Sequence, residues 1–493
     1  MKLLHVRLPC KKIYPGGSIY LADYLHKEAN AEQRIIDLAT VNKKDRLDFL
    51  NSEIYSFRPA IIAFSWRDIQ IFSPDHDDNS LRNAFNFYYS PNPISKLKSA
   101  IAGVQSILDY RFRIDENLSY INHVAKNFNS RIIVGGPAVS VFAQHVINRL
   151  EDGILGVIGE GEDVLVKVLH GFENSKLLDE RVIFKNNGQI FTGEKKRFVK
   201  IENHDAIDFG YINNIFPQFN DYKDEFVGVQ TKRGCGHRCM YCIYPHIDGN
   251  RVRCRPKEAI SSEISQLYHN YGINKIWFID SQFIPSKFHV PKCIETLDAI
   301  IKEKVDIDWG GYIRIENMNK PLAEKMLQSG ISQFELSIAS GSQRIVDFLT
   351  LDFKIKDVLQ ACEMIKKAGY DRQHILLNFS LNAPTETKES LLESISVYNK
   401  IKDIFRSDFV KPIIFFLGIQ PHTRLEKFAI EQGRLTKNYN PLSLNPRSIR
   451  KFIYNPAPLD KVISRACLNS WNKDKNNNNV GISVMNELEE VLK

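Results

Sequence analysis

No apolar run in this chain of 493 residues approaches the ~20 residues of a membrane helix. The opening stretch, Met1-Lys2-Leu3-Leu4-His5-Val6-Arg7, has no signal-peptide core, because His5 and Arg7 interrupt it. Both absences lead to the expectation of a cytoplasmic protein with no membrane association. Dense Lys/Arg runs and basic helices are missing too, although the net charge is +8. That weighs against a general nucleic-acid binder and leaves a mild preference for anionic ligands. Cysteine is scarce: of eight, Cys10, Cys254, Cys293, Cys362 and Cys467 stand singly. Scattered thiols do not make a disulfide framework and fit a reducing compartment.

The other three cysteines share one short run, G-C-G-H-R-C-M-Y-C. Cys235, Cys239 and Cys242 follow the apolar stretch Phe226-Val227-Gly228-Val229 with the spacing C-x-x-x-C-x-x-C. Soft thiolates select iron–sulfur clusters, zinc or copper. An ordinary electron-transfer cluster takes four cysteines, so three on one tight loop point to a 4Fe-4S cluster with one iron open to a ligand. The competing reading is structural zinc in an RNA-binding or adaptor protein. Zinc usually takes four ligands in paired knuckles. No second knuckle exists here, and His237 inside the loop reaches a fourth position only with strained geometry.

The pattern divides the chain into 1–170, a linker at 171–225, 226–430 and an extension at 431–493. In the first part, short apolar runs at 3–6, 34–38, 60–65, 131–134 and 153–158 alternate with helical stretches. This is the signature of an α/β fold with a doubly wound parallel sheet, whose ligands bind beyond the carboxyl ends of the strands. Residues 73–115 read as a long loop kept ordered by aromatics such as Phe85, Phe87, Tyr88 and Tyr89. Asn186-Asn187-Gly188 marks a hairpin inside the linker. From 226 onward, strands are expected at 226–230, 275–280, 307–313, 332–338, 374–381 and 412–419. They form six βα units rather than the eight of a closed barrel. The run Asn476-Asn477-Asn478-Asn479 reads as an exposed loop in a polar tail.

The three-cysteine run resembles the signature of the radical S-adenosylmethionine (SAM) superfamily. The resemblance implies a partial (β/α)6 barrel whose open iron chelates the amino and carboxylate groups of SAM. It also implies SAM contacts at the carboxyl ends of the strands: Asp280 and Gln282 after the second, Ser337 and Ser340 on the fourth, Asn378 on the fifth and Pro421 after the sixth. Asp280 is expected near the SAM amino group, with a helix cap as its alternative. The run Asn382-Ala383-Pro384-Thr385-Glu386-Thr387 resembles the superfamily's G-x-P-x-E-T turn, with Asn382 in place of glycine and Thr385 a candidate helix cap. Ala339 stands where related proteins often carry glutamate. Arg314, after the third strand, is a candidate for a carboxylate ligand or for a surface salt bridge.

The amino-terminal part is similar to the cobalamin-binding domain fused to many of these enzymes, on the turns Gly135-Gly136-Pro137 and Gly159-Glu160-Gly161-Glu162. No D-x-H-x-x-G is present to supply a lower axial histidine. The stretch Ala63-Phe64-Ser65-Trp66-Arg67, with the aromatic segment after it, resembles the tryptophan-methylating branch. That implies Arg67 under the cobalt as a cation without a lone pair, with Ser65 and Trp66 beside it; pairing of Arg67 with Asp68 or Asp75 is the plain alternative. The expected activity is a cobalamin-dependent radical SAM methyltransferase. A methyl group passes from SAM through methylcobalamin to an unactivated carbon of a small, aromatic, indole-like substrate. An external electron donor of the flavodoxin or ferredoxin type completes the partners. A non-methylating cyclisation or rearrangement with the same cofactors is the alternative.

Overall fold

The computed structural model describes residues 1–67, 79–194, 198–406, 408–443, 448, 451–453, 459–473 and 480–493. Two parallel sheets dominate. The first is built from β1 (Lys2–Arg7), β2 (Glu32–Asp37), β3 (Ile61–Ser65), β4 (Arg131–Gly135) and β5 (Leu155–Val157), extended by β6 (Val182–Asn186) and β7 (Gln189–Thr192). Its order is β2-β1-β3-β4-β5-β6-β7. Runs such as Ile61-Ile62-Ala63-Phe64 are buried along their length, as strands covered by helices on both faces must be. The direction of winding reverses between β1 and β3, which makes their carboxyl ends a switch point for ligands. Register places Ser65 opposite Gly135 at that edge.

β6 and β7 are antiparallel, and β6 pairs with β5. The hairpin expected inside a linker is therefore the far edge of the first sheet. Asn187 (φ 48°) and Gly188 (φ 74°) both take the left-handed conformation its two-residue turn needs.

The second sheet starts with β8 (Val227–Val229). After a small ribbon of β9 (Lys232–Arg233) and β10 (Arg253–Cys254), it continues through β11 (Lys275–Phe278), β12 (Asp308–Ile313), β13 (Ile331–Ala339), β14 (His374–Ser380) and β15 (Val410–Phe415). All six strands are parallel and run in the order β15-β14-β13-β12-β11-β8. β8 and β15 do not pair, so the barrel stays open, as six units require.

Two expectations need correction. The part of 73–115 that the structure describes is helical, in Asn79–Tyr89 and Pro93–Asn127. Asn92 caps the second helix from its side chain and Pro93 opens it. The tail is also built of helices, Leu459–Lys473 and Val480–Leu492, with Cys467, Val484, Met485 and Leu488 buried. Phe85 of the insert packs against Phe416 beyond β15 and Trp471 of the tail, at 5.5 and 5.8 Å. The asparagine run at 476–479 lies outside the described residues. Among the described residues, no helix is long and apolar enough to cross a membrane.

Candidate active site

The cysteine loop leaves β8 through a turn that only glycine fits. Gly234 sits at φ +85°, and a Cβ there would come within 2.1 Å of Arg251 O. Cys235 N donates to Gly249 O (3.0 Å) and Cys242 N to Cys239 O (3.1 Å). His237 lends its Nε2 to Pro285 O at 2.7 Å, which places it as a brace of the loop. None of the cysteines is in a disulfide. Burial pushes all three thiols up, Cys239 to about 11 and Cys242 to about 12, and the three groups act on one another. Such thiols give up their protons to a metal rather than to water. The donor set, three soft sulfurs on one loop, fits an iron–sulfur cluster.

Asp280 does not face a ligand. Its Oδ1 accepts from Thr231 N (2.8 Å) and Lys232 N (3.0 Å). Its Oδ2 accepts from Lys232 Nζ (2.8 Å) and from Thr231 Oγ1. The side chain is 3% exposed. The expectation that Asp280 holds an amino group is corrected: its oxygens are consumed in fixing the strand that enters the cysteine loop. Ser340 is also relocated. It is fully buried against Ser394 Oγ (3.3 Å) and the Ser342 amide (3.1 Å), in the packing of β13 on the helix Lys388–Phe405. Thr387, not Thr385, caps that helix, with a reciprocal Ser390 bond.

The open end of the barrel keeps the other candidates. Asn378 on β14 stands in register with Ser337 on β13, and its Nδ2 donates to Glu335 Oε2 at 3.0 Å. Asn378 Oδ1, Gln282 Oε1 and Gln420 Oε1 are buried acceptors without a hydrogen-bond partner. Buried polar atoms are rarely left so, and these acceptors fit the ammonium and hydroxyl donors of SAM. Pro421 lies buried beside Gln420. In the next turn Thr423 caps the helix Arg424–Glu431, and Leu425 N donates to Met240 O in the cysteine loop (2.8 Å). Tyr312 joins this group: Trp277 meets its ring edge-on at 5.7 Å. Burial, then the charge of Glu335, hold its phenol well above the usual range. Sequence reading passes over Glu335 and Tyr312. Each is one residue in an alternating strand, and only the register between strands brings them together.

The crevice of the first sheet collects most of its candidates. Ser65, Gly135, Gly136, Pro137, Gly159, Glu160 and Gly161 line one cavity with about 1050 Å³ of unfilled space, open to solvent. Gln230, Arg233, Asp248 and Ile279 close it from the second sheet. Gly136 has φ +94°, and a Cβ would meet Trp66 O at 2.6 Å. Trp66 is 4% exposed, and its indole nitrogen has no partner. Glu160 is taken up structurally: Oε1 lies 2.8 Å from Arg253 and 3.3 Å from Arg233, and Oε2 accepts from Val199 N at 2.7 Å. That correction makes it a bridge between the two sheets, and Glu162 does the same with Arg233 at 2.6 Å. Arg67 is exposed, and its charge is felt by both Tyr244, just after Cys242, and Tyr312 of β12. Asp68 and Asp75 lie outside the described residues.

Residues 229–397, from β8 into the helix after β14, match the radical SAM superfamily model. The chain carries a radical SAM domain. An uncharacterized methyltransferase of Pyrococcus horikoshii is 26% identical over 360 residues, covering 71% of this chain and 75% of the relative. Among solved structures, the radical SAM methyltransferase TsrM of Kitasatospora setae, with tryptophan and a SAM analogue bound, superposes at a TM-score of 0.67. It is 14% identical and covers 93% of this chain and 86% of that one. The cobalamin-dependent SAM radical enzyme OxsB, with aqua-cobalamin and SAM bound, gives a TM-score of 0.65 at 14% identity, covering 96% and 67%. Both likenesses extend well beyond the radical SAM domain, so the first sheet and the barrel recur together as one architecture.

Proposed function

We propose that this protein is a cobalamin-dependent radical SAM methyltransferase that methylates an unactivated carbon of a small aromatic, indole-like substrate. One observation carries the reading: the glycine-lined cavity of the first sheet is closed by Gln230 and Arg233, just before the cysteine loop, and by Ile247 and Asp248, just after it. TsrM, with tryptophan in its structure, has the same overall fold and supports the substrate class.

Cys235, Cys239 and Cys242 hold the cluster; Gln282, Ser337, Asn378 and Gln420 hold SAM; Ser65, Trp66 and the turns at 135–137 and 159–161 receive the corrin. When bound, these groups supply an electron and relay the methyl group. The chain's own residues do the rest. Arg67 offers the cobalt a cation and no lone pair. Trp277 and Tyr312 form an aromatic wall, and Glu335 beside them accepts a proton from the acceptor atom of the substrate. Asp280 and Lys232 keep the cysteine loop fixed as the electron arrives from a flavodoxin- or ferredoxin-type donor.

Anaerobic turnover with methyl-labelled SAM, hydroxocobalamin, a reductant and indole-bearing candidates tests the reading. Label in a carbon of the product supports it, and 5′-deoxyadenosine produced alongside identifies the radical route. 5′-Deoxyadenosine with no label transferred to cobalamin or product overturns it in favour of a non-methylating enzyme.

A further inference from the structure

Residues 349–352 grip the cysteine loop from outside. Leu349 O accepts from Met240 N at 2.9 Å, and Thr350 Oγ1 donates to Arg238 O at 2.6 Å. Arg424 reinforces both partners, reaching Thr350 Oγ1 (2.9 Å) and Arg238 O (3.3 Å). Asp352 Oδ2 lies 3.8 Å from His237 Nδ1. Thr350 (φ 53°) and Asp352 (φ 59°) both adopt the left-handed conformation without being glycine. Such backbone costs of order 1–3 kcal/mol per residue and persists only where the surroundings over-determine it. The segment is a strap, and its strain is held by contacts to the loop.

A second carbonyl of the strap, Leu351 O, accepts from Arg314 Nη2. Arg314 follows β12, is 7% exposed, and donates from Nε to Glu316 Oε1 at 2.6 Å. A buried cation paired with one carboxylate is thus held by the strap that grips the cysteine loop. Its charge bears on Cys235, Cys239, Tyr241 and His237, and Glu316 opposes it at His237. This is not the surface salt bridge that the sequence offered as one reading of Arg314, because the pair is buried.

Cluster potentials depend on net charge, hydrogen bonding and solvent exposure around the sulfurs. Reduction adds an electron to a group already made negative by thiolates. A fixed positive charge in a poorly screened interior favours the reduced form. We propose that Arg314 is a positioning residue for the cluster's charge: held by the strap on the cysteine loop, it raises the reduction potential, and Glu316 limits how much of that charge the cluster feels. The proposal rests on the cluster reading of the cysteine triad.

An electron-paramagnetic-resonance redox titration of the anaerobically reconstituted full chain, without SAM, tests it. Arg314→Gln is expected to lower the midpoint potential, Glu316→Gln to raise it, and Arg314→Lys to stay near wild type. A purely structural role moves no variant in opposite directions. Equal potentials in wild type and both glutamine variants at equal iron and sulfide content overturn the proposal, as does a shift of both in the same direction. Should Arg314→Gln fail to hold iron, Glu316→Gln decides alone: a raised potential supports the proposal and an unchanged one overturns it. A wild-type chain that binds iron and sulfide but shows no reducible cluster signal sinks the cluster reading itself, a distinct result.

Discussion

Asp280 shows how a buried carboxylate serves a site without touching it. It satisfies two backbone amides, a hydroxyl and an ammonium at the root of the cysteine loop. Removing one partner of a buried ion pair strands the other, at a cost of about 3–5 kcal/mol. Asp280→Asn should therefore lower stability by about that amount in denaturant titration, and cut iron incorporation although Asp280 is no ligand. Gly136 poses the opposite problem, that of a missing side chain. Its φ of +94° and the 2.6 Å that would separate a Cβ from Trp66 O leave no room for alanine. Gly136→Ala should cost at least about 1–3 kcal/mol and weaken corrin binding with the cluster still loaded; unchanged corrin affinity in a spectroscopic titration contradicts this role.

Elements are legible where pattern is local. Short apolar runs locate every strand of both parallel sheets, and the Cys235–Cys239–Cys242 spacing locates the cluster loop. What escapes depends on partners distant in sequence. Asp280 reads as a free acid at a strand end until Thr231 and Lys232 are seen to occupy it. Glu335 and Asn378 are 43 positions apart and meet only through the register of β13 and β14. The tail reads as polar because the helix Val480–Leu492 hides a narrow apolar face, Val484, Met485 and Leu488, among charged residues. That face is structural: Leu488→Ala should destabilise the chain by about 2–5 kcal/mol, measured by denaturation. A loss within about 0.5 kcal/mol, as at ordinary surface positions, would show that the tail does not belong to the core. The insert reads as a loop for the same reason, since Leu81 and Phe85 are the only fully buried positions of the helix Asn79–Tyr89.

At the scale of the molecule, the two sheets are joined through groups that also touch the site. Glu160 and Glu162 reach Arg233 and Arg253, and Tyr20 donates to Glu263 at 2.8 Å. His246 and His422 stack at 4.0 Å, their rings bonded to Ser140 O (3.1 Å) and Val141 O (3.2 Å), next to a kink at Phe142 in the helix Pro137–Ile147. Burial, then the neighbouring His422, hold His246 down to about 4, below the 6.5 of a free imidazole. The unfolded chain therefore binds this proton first. The stability His246 contributes is whole above pH 6.5 and is lost as pH falls toward 4, by up to about 1.4 kcal/mol per pH unit. His246→Asn should flatten that part of the pH profile of denaturation, and parallel profiles would refute it. The central claim is that the first sheet and the radical SAM domain bring a corrin and SAM into one chamber. Mass spectrometry of the corrin recovered from reduced, reconstituted protein given trideuteromethyl-SAM tests this most directly. The account predicts cobalamin carrying the trideuteromethyl group, and unlabelled cobalamin from protein that binds both ligands would contradict it.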